Sequence, residues 1–222
     1  MRNLNGHIIP FNPLDKKNLG ASVAEAMLEQ RPQRLDELKQ FFGVGIYAIY
    51  YTGDFEPYAP LAERNRNGLF QIPIYVGKAI PRGARKGGGV GEVQSRSLYD
   101  RLREHAESVA LASNLDIKDF YCRFLVVDDI WIPLGESLLI AKFAPLWNSS
   151  IDGFGNHDPG SGRYKGLRPR WDVLHPGRAW ADKCQPREET QEHIVRDVRN
   201  YFMTIAFPAS HHVLGPDQQP DT

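Results

Sequence analysis

Short runs of β-branched and aromatic residues, spaced by a helical pattern or a turn-rich loop, constrain this chain most. Val44–Tyr51 (VGIYAIYY) reads as a strand on that composition. Ile72–Val76 is a second short strand, closed by Gly77, and Asp119–Val127 is a third. Leu98–Leu111 places Leu98, Leu102, Ala106 and Val109 at helical spacing, which predicts an amphipathic helix. Gly135–Ala144 reads as a short helix, apolar nearly all round and therefore buried, ended by Pro145. The order β-β-α-β-α predicts an α+β domain, a small mixed or antiparallel sheet flanked by helices.

Extensions surround this core. Residues 1–19 read as an irregular arm, and helical patterns follow over Ala21–Gln30 and Arg34–Phe42, with Pro32 between them. Gly53–Leu69 holds Pro57, Pro60, Asn65, Asn67 and Gly68 and reads as a long loop. Ala79–Ser97 is Gly-rich and basic, a segment expected to be mobile unless a ligand orders it. Past Asn148 the chain is dominated by Gly, Pro, Arg and Trp, until Ile194, Val195, Val198, Tyr201, Phe202 and Ile205 mark a last amphipathic helix. The tail after Phe207 is expected to be disordered. A single domain over 1–222 follows: an N-terminal arm and helices (1–43), a core (44–150) with insertions at 54–70 and 79–97, and a C-terminal extension (151–222).

At 222 residues and 41% hydrophobic, the chain buries a core without disulfides. No apolar stretch approaches the length of a membrane span, and the N-terminus lacks the order of a secretory signal. Cys122 and Cys184 form no CxxC pair, which fits a reducing cytoplasm and gives no cysteine zinc site. Net charge is formally zero, yet residues 78–103 and residues 161–187 each hold seven basic side chains against two acidic ones. Local Lys and Arg density is what displaces counterions from phosphates, so both stretches point to nucleic acid. The run GGGVG at 87–91 lacks a following Lys-Ser/Thr and opens no dinucleotide-binding unit, which excludes a nucleotide-binding loop.

The residues that carry chemistry come in a fixed order. Gly45-Ile46-Tyr47 sits in the first strand and Tyr75-Val76-Gly77 ends the second. Arg101 and His105 follow on one helix, then Glu136 on another, then Asn148. From Val44 to Asn148 this order resembles the core of the GIY-YIG nucleases. The tyrosines stand 28 positions apart, wider than the short hairpin of that superfamily, so Asp54–Phe70 looks like an insertion of the restriction-enzyme branch.

Each residue also has a reading of its own. Strand alternation puts Tyr47 and Tyr75 on the same sheet face, if each strand takes normal register. A phenol can hold a water, but its ordinary pKa near ~10 demands a neighbouring cation or proton acceptor before it acts as a base. Arg101 and His105 lie one helical turn apart; His105 falls on the buried stripe between Leu98 and Val109, with Arg101 on its flank, while Arg103 faces solvent. Burying an arginine is costly unless an anion arrives, and a scissile phosphate is such an anion. Glu136 is expected in the first turn of its helix, where the macrodipole keeps a carboxylate ionised and fit to hold a metal. Mg²⁺ often needs only one or two protein carboxylates. Lys78 follows the second motif as a phosphate-directed charge. Arg82, Arg85 and Lys86 in the basic loop, and Arg168, Arg170 and Arg178 in RPRWDVLHPGRAW, are candidate DNA contacts; a Pro/Gly-rich wrap over the core is the other reading of the latter stretch.

The resemblance implies a type II restriction endonuclease of the branch cutting GC-rich palindromes such as CCGCGG. It implies Mg²⁺ or Mn²⁺ as cofactor, double-stranded DNA as substrate, and Asn148 hydrogen-bonding within the site. A palindromic site matches a two-fold homodimer, through the N-terminal helices or the Asp54–Phe70 insertion. Three rivals stand beside this reading. A PD-(D/E)xK nuclease finds its last part in Asp116-Ile117-Lys118 but no well-placed preceding acid. A repair or homing nuclease shares the core, and a non-catalytic DNA-binding protein keeps the charge without the chemistry.

Overall fold

Every residue of the central strand is buried, because both faces of its sheet are covered. In the computed structural model, which describes residues 12, 14–80, 95–160, 162 and 164–205, four strands pair in the order β1-β4-β2-β3. They are β1 (Gln33–Arg34), β2 (Gly45–Tyr51), β3 (Tyr75–Ala79) and β4 (Phe120–Val126), and each pairing is antiparallel. The helices are α1 (Lys16–Glu29), α2 (Ala59–Glu63), α3 (Ser97–Leu111), α4 (Ile132–Phe143), α5 (Leu146–Ser149), α6 (Arg170–Leu174) and α7 (Gln191–Thr204). This is the α+β sheet-and-helix layering expected of the chain.

Alternation along β2 divides the core in two. Tyr47, Ile49 and Tyr51 pack with Leu98, Leu102 and Val109 of α3, with Trp147 and Trp171, and with Ile194 and Val198 of α7. Ile46, Ala48 and Tyr50 pack with Ala24 and Met27 of α1 and Ile132, Leu139 and Phe143 of α4. α7 therefore belongs to the same core as the central strand.

Three local expectations are corrected. The helix expected over Arg34–Phe42 does not form: Gln33 and Arg34 pair with Cys122 and Tyr121, and Leu35 N–H donates to the Phe120 carbonyl at 3.0 Å. Edge pairing to β4, with Phe41 stacked on Phe124 at 4.3 Å, overrides a weak local preference. Gly53–Leu69 is not all loop, since a 3₁₀ turn at Glu56–Tyr58 leads into α2 and buries Tyr58, Leu61 and Ala62. α4 begins at Ile132, with a proline in its opening turn, so Glu136 stands in the second turn and not the first. The basic loop's Arg82, Arg85 and Lys86, the glycine run, most of the N-terminal arm and the tail after Phe207 lie outside the described residues.

Candidate active site

The outer edge of β3 is where the two helix layers meet. Tyr47 pairs across from Gly77 and Ile49 from Tyr75, so the two tyrosines share one sheet face, their rings 6.2 Å apart. A Cβ on Gly77 would come within 2.4 Å of Tyr47 Oη; the missing side chain is what admits the Tyr47 hydroxyl at this edge. Lys78, one residue on, faces the other way, and its Nζ lies 2.6 Å from Glu136 Oε2 on α4. Groups from both faces of the sheet thus converge around a single strand end.

On the tyrosine face, α3 supplies His105 and Arg101. His105 is 1% exposed, and its Nε2 lies 2.6 Å from Tyr47 Oη. Burial, reinforced by the Arg101 charge, holds the imidazole pKa well below its ordinary 6.5, so the ring is neutral. Burial, with Tyr75 beside it, pushes the Tyr47 phenol well above 10, although Arg101 pulls the other way. The two neutral groups share a preformed hydrogen bond, in which Nε2 accepts from the phenol when the imidazole carries its proton on Nδ1. Tyr75 is shifted upward for the same reason, burial first and Arg101 opposing. Glu136 acts at this point too: its charge is felt by both phenols.

The Arg101 guanidinium is held from three sides. Nη1 donates to Glu104 Oε2 at 3.0 Å and contacts His157 Nε2; Nη2 donates to the Gly155 carbonyl at 2.8 Å. Beside it opens a cleft of about 220 Å³ lined by Lys78, Ser97, Asp100, Arg101, Glu104 and His157. Glu136 offers a single, 18% exposed carboxylate already neutralised by a cationic side chain. One hard oxygen donor of this kind fits a divalent cation that keeps most of its waters; among the described residues no cluster of His, Cys, Asp or Glu offers a fuller cage.

Asn148 bonds to the strand that carries Tyr75. Its Oδ1 accepts from Val76 N–H and its Nδ2 donates to the Val76 carbonyl, both at 2.8 Å. The amide occupies the outward-facing backbone pair of an edge strand and holds β3 in place. Arg178, expected as a DNA contact, is corrected. It is 2% exposed, and its Nε and Nη2 pair with Asp172 at 2.6 and 2.5 Å. The remaining N–H groups go to the carbonyls of Gly153, Phe154 and Asn156, which leaves no donor for a phosphate. Arg170 is largely buried against Ser150, Glu189 and Asp197, and Arg168 reaches Ala181 and Asp182 from a more open position.

Sequence reasoning missed Glu104, Gly155 and His157. Glu104, one turn from Arg101, was discoverable by helix spacing; Gly155 and His157 sit in a turn whose composition carried no signal. It also missed a buried relay behind the site: Trp147 Nε1 donates to Tyr58 Oη at 2.9 Å, which meets His175 Nε2 at 2.6 Å, while His175 Nδ1 meets Asn114 Oδ1 at 2.9 Å. Since an amide oxygen only accepts, Nδ1 carries the proton and Tyr58 donates to Nε2.

Comparison with known proteins agrees with this geometry. No curated protein matches the chain. The family model described as the Eco29kI GIY-YIG domain matches residues 39–202, a span that takes in Tyr47, Tyr75, Arg101, His105, Glu136 and Asn148 together with the turn that touches them. With that match over most of its length, and with the sheet and helices built around those residues, the chain belongs to the Eco29kI GIY-YIG family of site-specific DNA endonucleases.

Proposed function

We propose that this chain is a type II restriction endonuclease that cuts both strands of a specific duplex site, leaving a 5′-phosphate and a 3′-hydroxyl. The Tyr47–His105 hydrogen bond, set beside Arg101 at the edge of β3, is the observation that carries this reading. An attacking water gives a proton to Tyr47 Oη as Tyr47 passes its own proton to His105 Nε2, so a phenol of very high pKa serves as a base without first ionising. Arg101 stabilises charge on the non-bridging oxygens of the scissile phosphate. Glu136 would hold a divalent cation, Mg²⁺ or Mn²⁺, which would supply positive charge at the leaving 3′-oxygen. Lys78, beside Glu136, is a positive charge directed at the phosphate. Tyr75 positions groups within the site, and Asn148 positions the strand that carries it.

A GC-rich palindrome such as CCGCGG is the proposed site class, read by a homodimer whose two-fold axis mirrors the DNA, in the cytoplasm of the cell. Lys78, Arg82, Arg85, Lys86, Arg168 and Arg170 are the proposed DNA contacts. Arg170 reaches DNA only by giving up its carboxylate partners. Digestion of plasmid and phage DNA with Mg²⁺, followed by mapping of the fragment ends, tests the reading: discrete fragments with 5′-phosphates support it. Glu136→Ala should abolish cleavage while filter binding of the same DNA in EDTA persists. Glu136→Ala cutting at the wild-type rate would remove the metal role.

A further inference from the structure

The Gly153–His157 turn reaches into the site from beyond the Val44–Asn148 stretch that carries the motif residues. Phe154 stacks on His105, ring centroids 4.6 Å apart, and meets Tyr75 edge-on at 5.0 Å. A Cβ on Gly155 would come within 2.8 Å of Tyr75 Oη and 3.1 Å of Arg101 Nη2, so main chain lies directly against both groups. His157 then contacts Arg101 Nη1. From behind, the buried Arg178 binds the carbonyls of Gly153, Phe154 and Asn156 and fixes the turn.

Glu104 marks what the cleft is built to hold. Its Oε2 is 3.0 Å from Arg101 Nη1 and 3.4 Å from His157 Nε2, an anionic oxygen lying where a guanidinium and an imidazole meet. A non-bridging phosphate oxygen has the same charge sign and the same acceptor chemistry. The Glu104 side chain is 42% exposed on the cleft, whereas the guanidinium is also tethered to the Gly155 carbonyl. An imidazole N–H turned toward the cleft donates to a phosphate oxygen as a guanidinium N–H does.

We propose that His157 is a further catalytic residue: together with Arg101 it holds a non-bridging oxygen of the scissile phosphate, in the place that the Glu104 carboxylate occupies before DNA binds. This rests on the nuclease reading above. Glu104 is then a built-in competitor that DNA displaces, and the extension that carries His157 is part of the catalytic machinery.

The test uses the full chain and a plasmid that the wild type cuts. In single-turnover reactions His157→Ala slows cleavage about tenfold to a hundredfold, the loss expected of one charge-assisted hydrogen bond. His157→Gln, whose amide nitrogen reaches much the same point as Nε2, recovers most of that loss. Filter binding of the plasmid in EDTA tightens for Glu104→Gln and weakens for His157→Ala. His157 is 59% exposed, so the variants should melt as the wild type does. His157→Ala cutting at the wild-type rate, His157→Gln as slow as His157→Ala, or Glu104→Gln binding no tighter overturns the proposal. A wild type that cuts no DNA at all sinks the nuclease reading instead, and the binding measurements then still decide whether His157 and Glu104 compete at a phosphate.

Discussion

Burial sets the protonation of Tyr47 and His105 alike. Both are buried, and burial penalises the charged form of each, so a neutral phenol faces a neutral imidazole at 2.6 Å. The sign of these shifts has a kinetic consequence. A histidine whose pKa lies well below 6.5 stays a competent proton acceptor as pH falls through the usual histidine range, and a phenol well above 10 stays protonated on the alkaline side. The single-turnover rate should therefore show no acid limb near pH 6.5 in stopped or quenched assays; a half-maximal rate at that pH would contradict the relay. Tyr47→Phe should lower that rate at least about a hundredfold, the size of a lost acid–base contribution, and should leave the His105 acceptor buried without its donor. Arg101 and His105 on one helix face, and Tyr47 in a strand, were legible in the sequence because periodicity alone decides which side chains lie together. That the phenol and the imidazole would bond was not, since it depends on how closely α3 approaches the sheet.

Individual elements owe their positions to polar side chains spent on backbone. Asn148 locks β3 through Val76, and Arg123 ties the end of α1 to the sheet by bonding the Gln30 carbonyl at 2.7 Å and the Phe70 carbonyl at 2.8 Å. Arg178 does the same for the turn beneath α6 while stacking over Trp171 at 4.5 Å. Removing one partner of its ion pair leaves the other charge buried, so Arg178→Met should cost about 3–5 kcal/mol in urea denaturation, and Arg178→Met combined with Asp172→Leu should recover part of that loss. Asn148→Ala strips the Val76 N–H and carbonyl of their partners; it should cost about 1–3 kcal/mol in the same measurement and lower cleavage with it. An arginine among tryptophans and prolines suggested DNA contact, and the guanidinium instead binds its own chain. Carbonyl, carboxylate and phosphate oxygens are alike as acceptors, so composition could not tell which of them the fold would supply.

Over the whole molecule, two buried neutral histidines make stability depend on pH. His175, pushed down to about 3 by burial and then by Arg178, and His105 both titrate lower in the folded chain than in the unfolded one. The unfolded chain takes up protons below pH 6.5 that the folded chain refuses, so stability is complete above that value and is lost as pH drops toward 3. Each histidine steepens the fall by up to about 1.4 kcal/mol per pH unit. Urea midpoints at pH 7 and 4.5 should differ less in His175→Gln than in the wild type, even though that variant starts less stable; an unchanged difference would show that His175 is not neutral in the fold.

The sequence by itself determined β2, β3 and β4, the helices α3, α4 and α7, their order, and the side chains available for chemistry, because spacing of apolar residues and strand alternation are local properties. Tertiary structure alone decided that Arg34–Phe42 joins a sheet edge, that Lys78 meets Glu136, that Arg178 turns inward, and that His157 arrives beside Arg101. Each of these joins residues distant in the chain or sets pairing against a local preference. Such contacts form only when the two faces of the sheet have been packed and its edge has been covered, which no local pattern encodes.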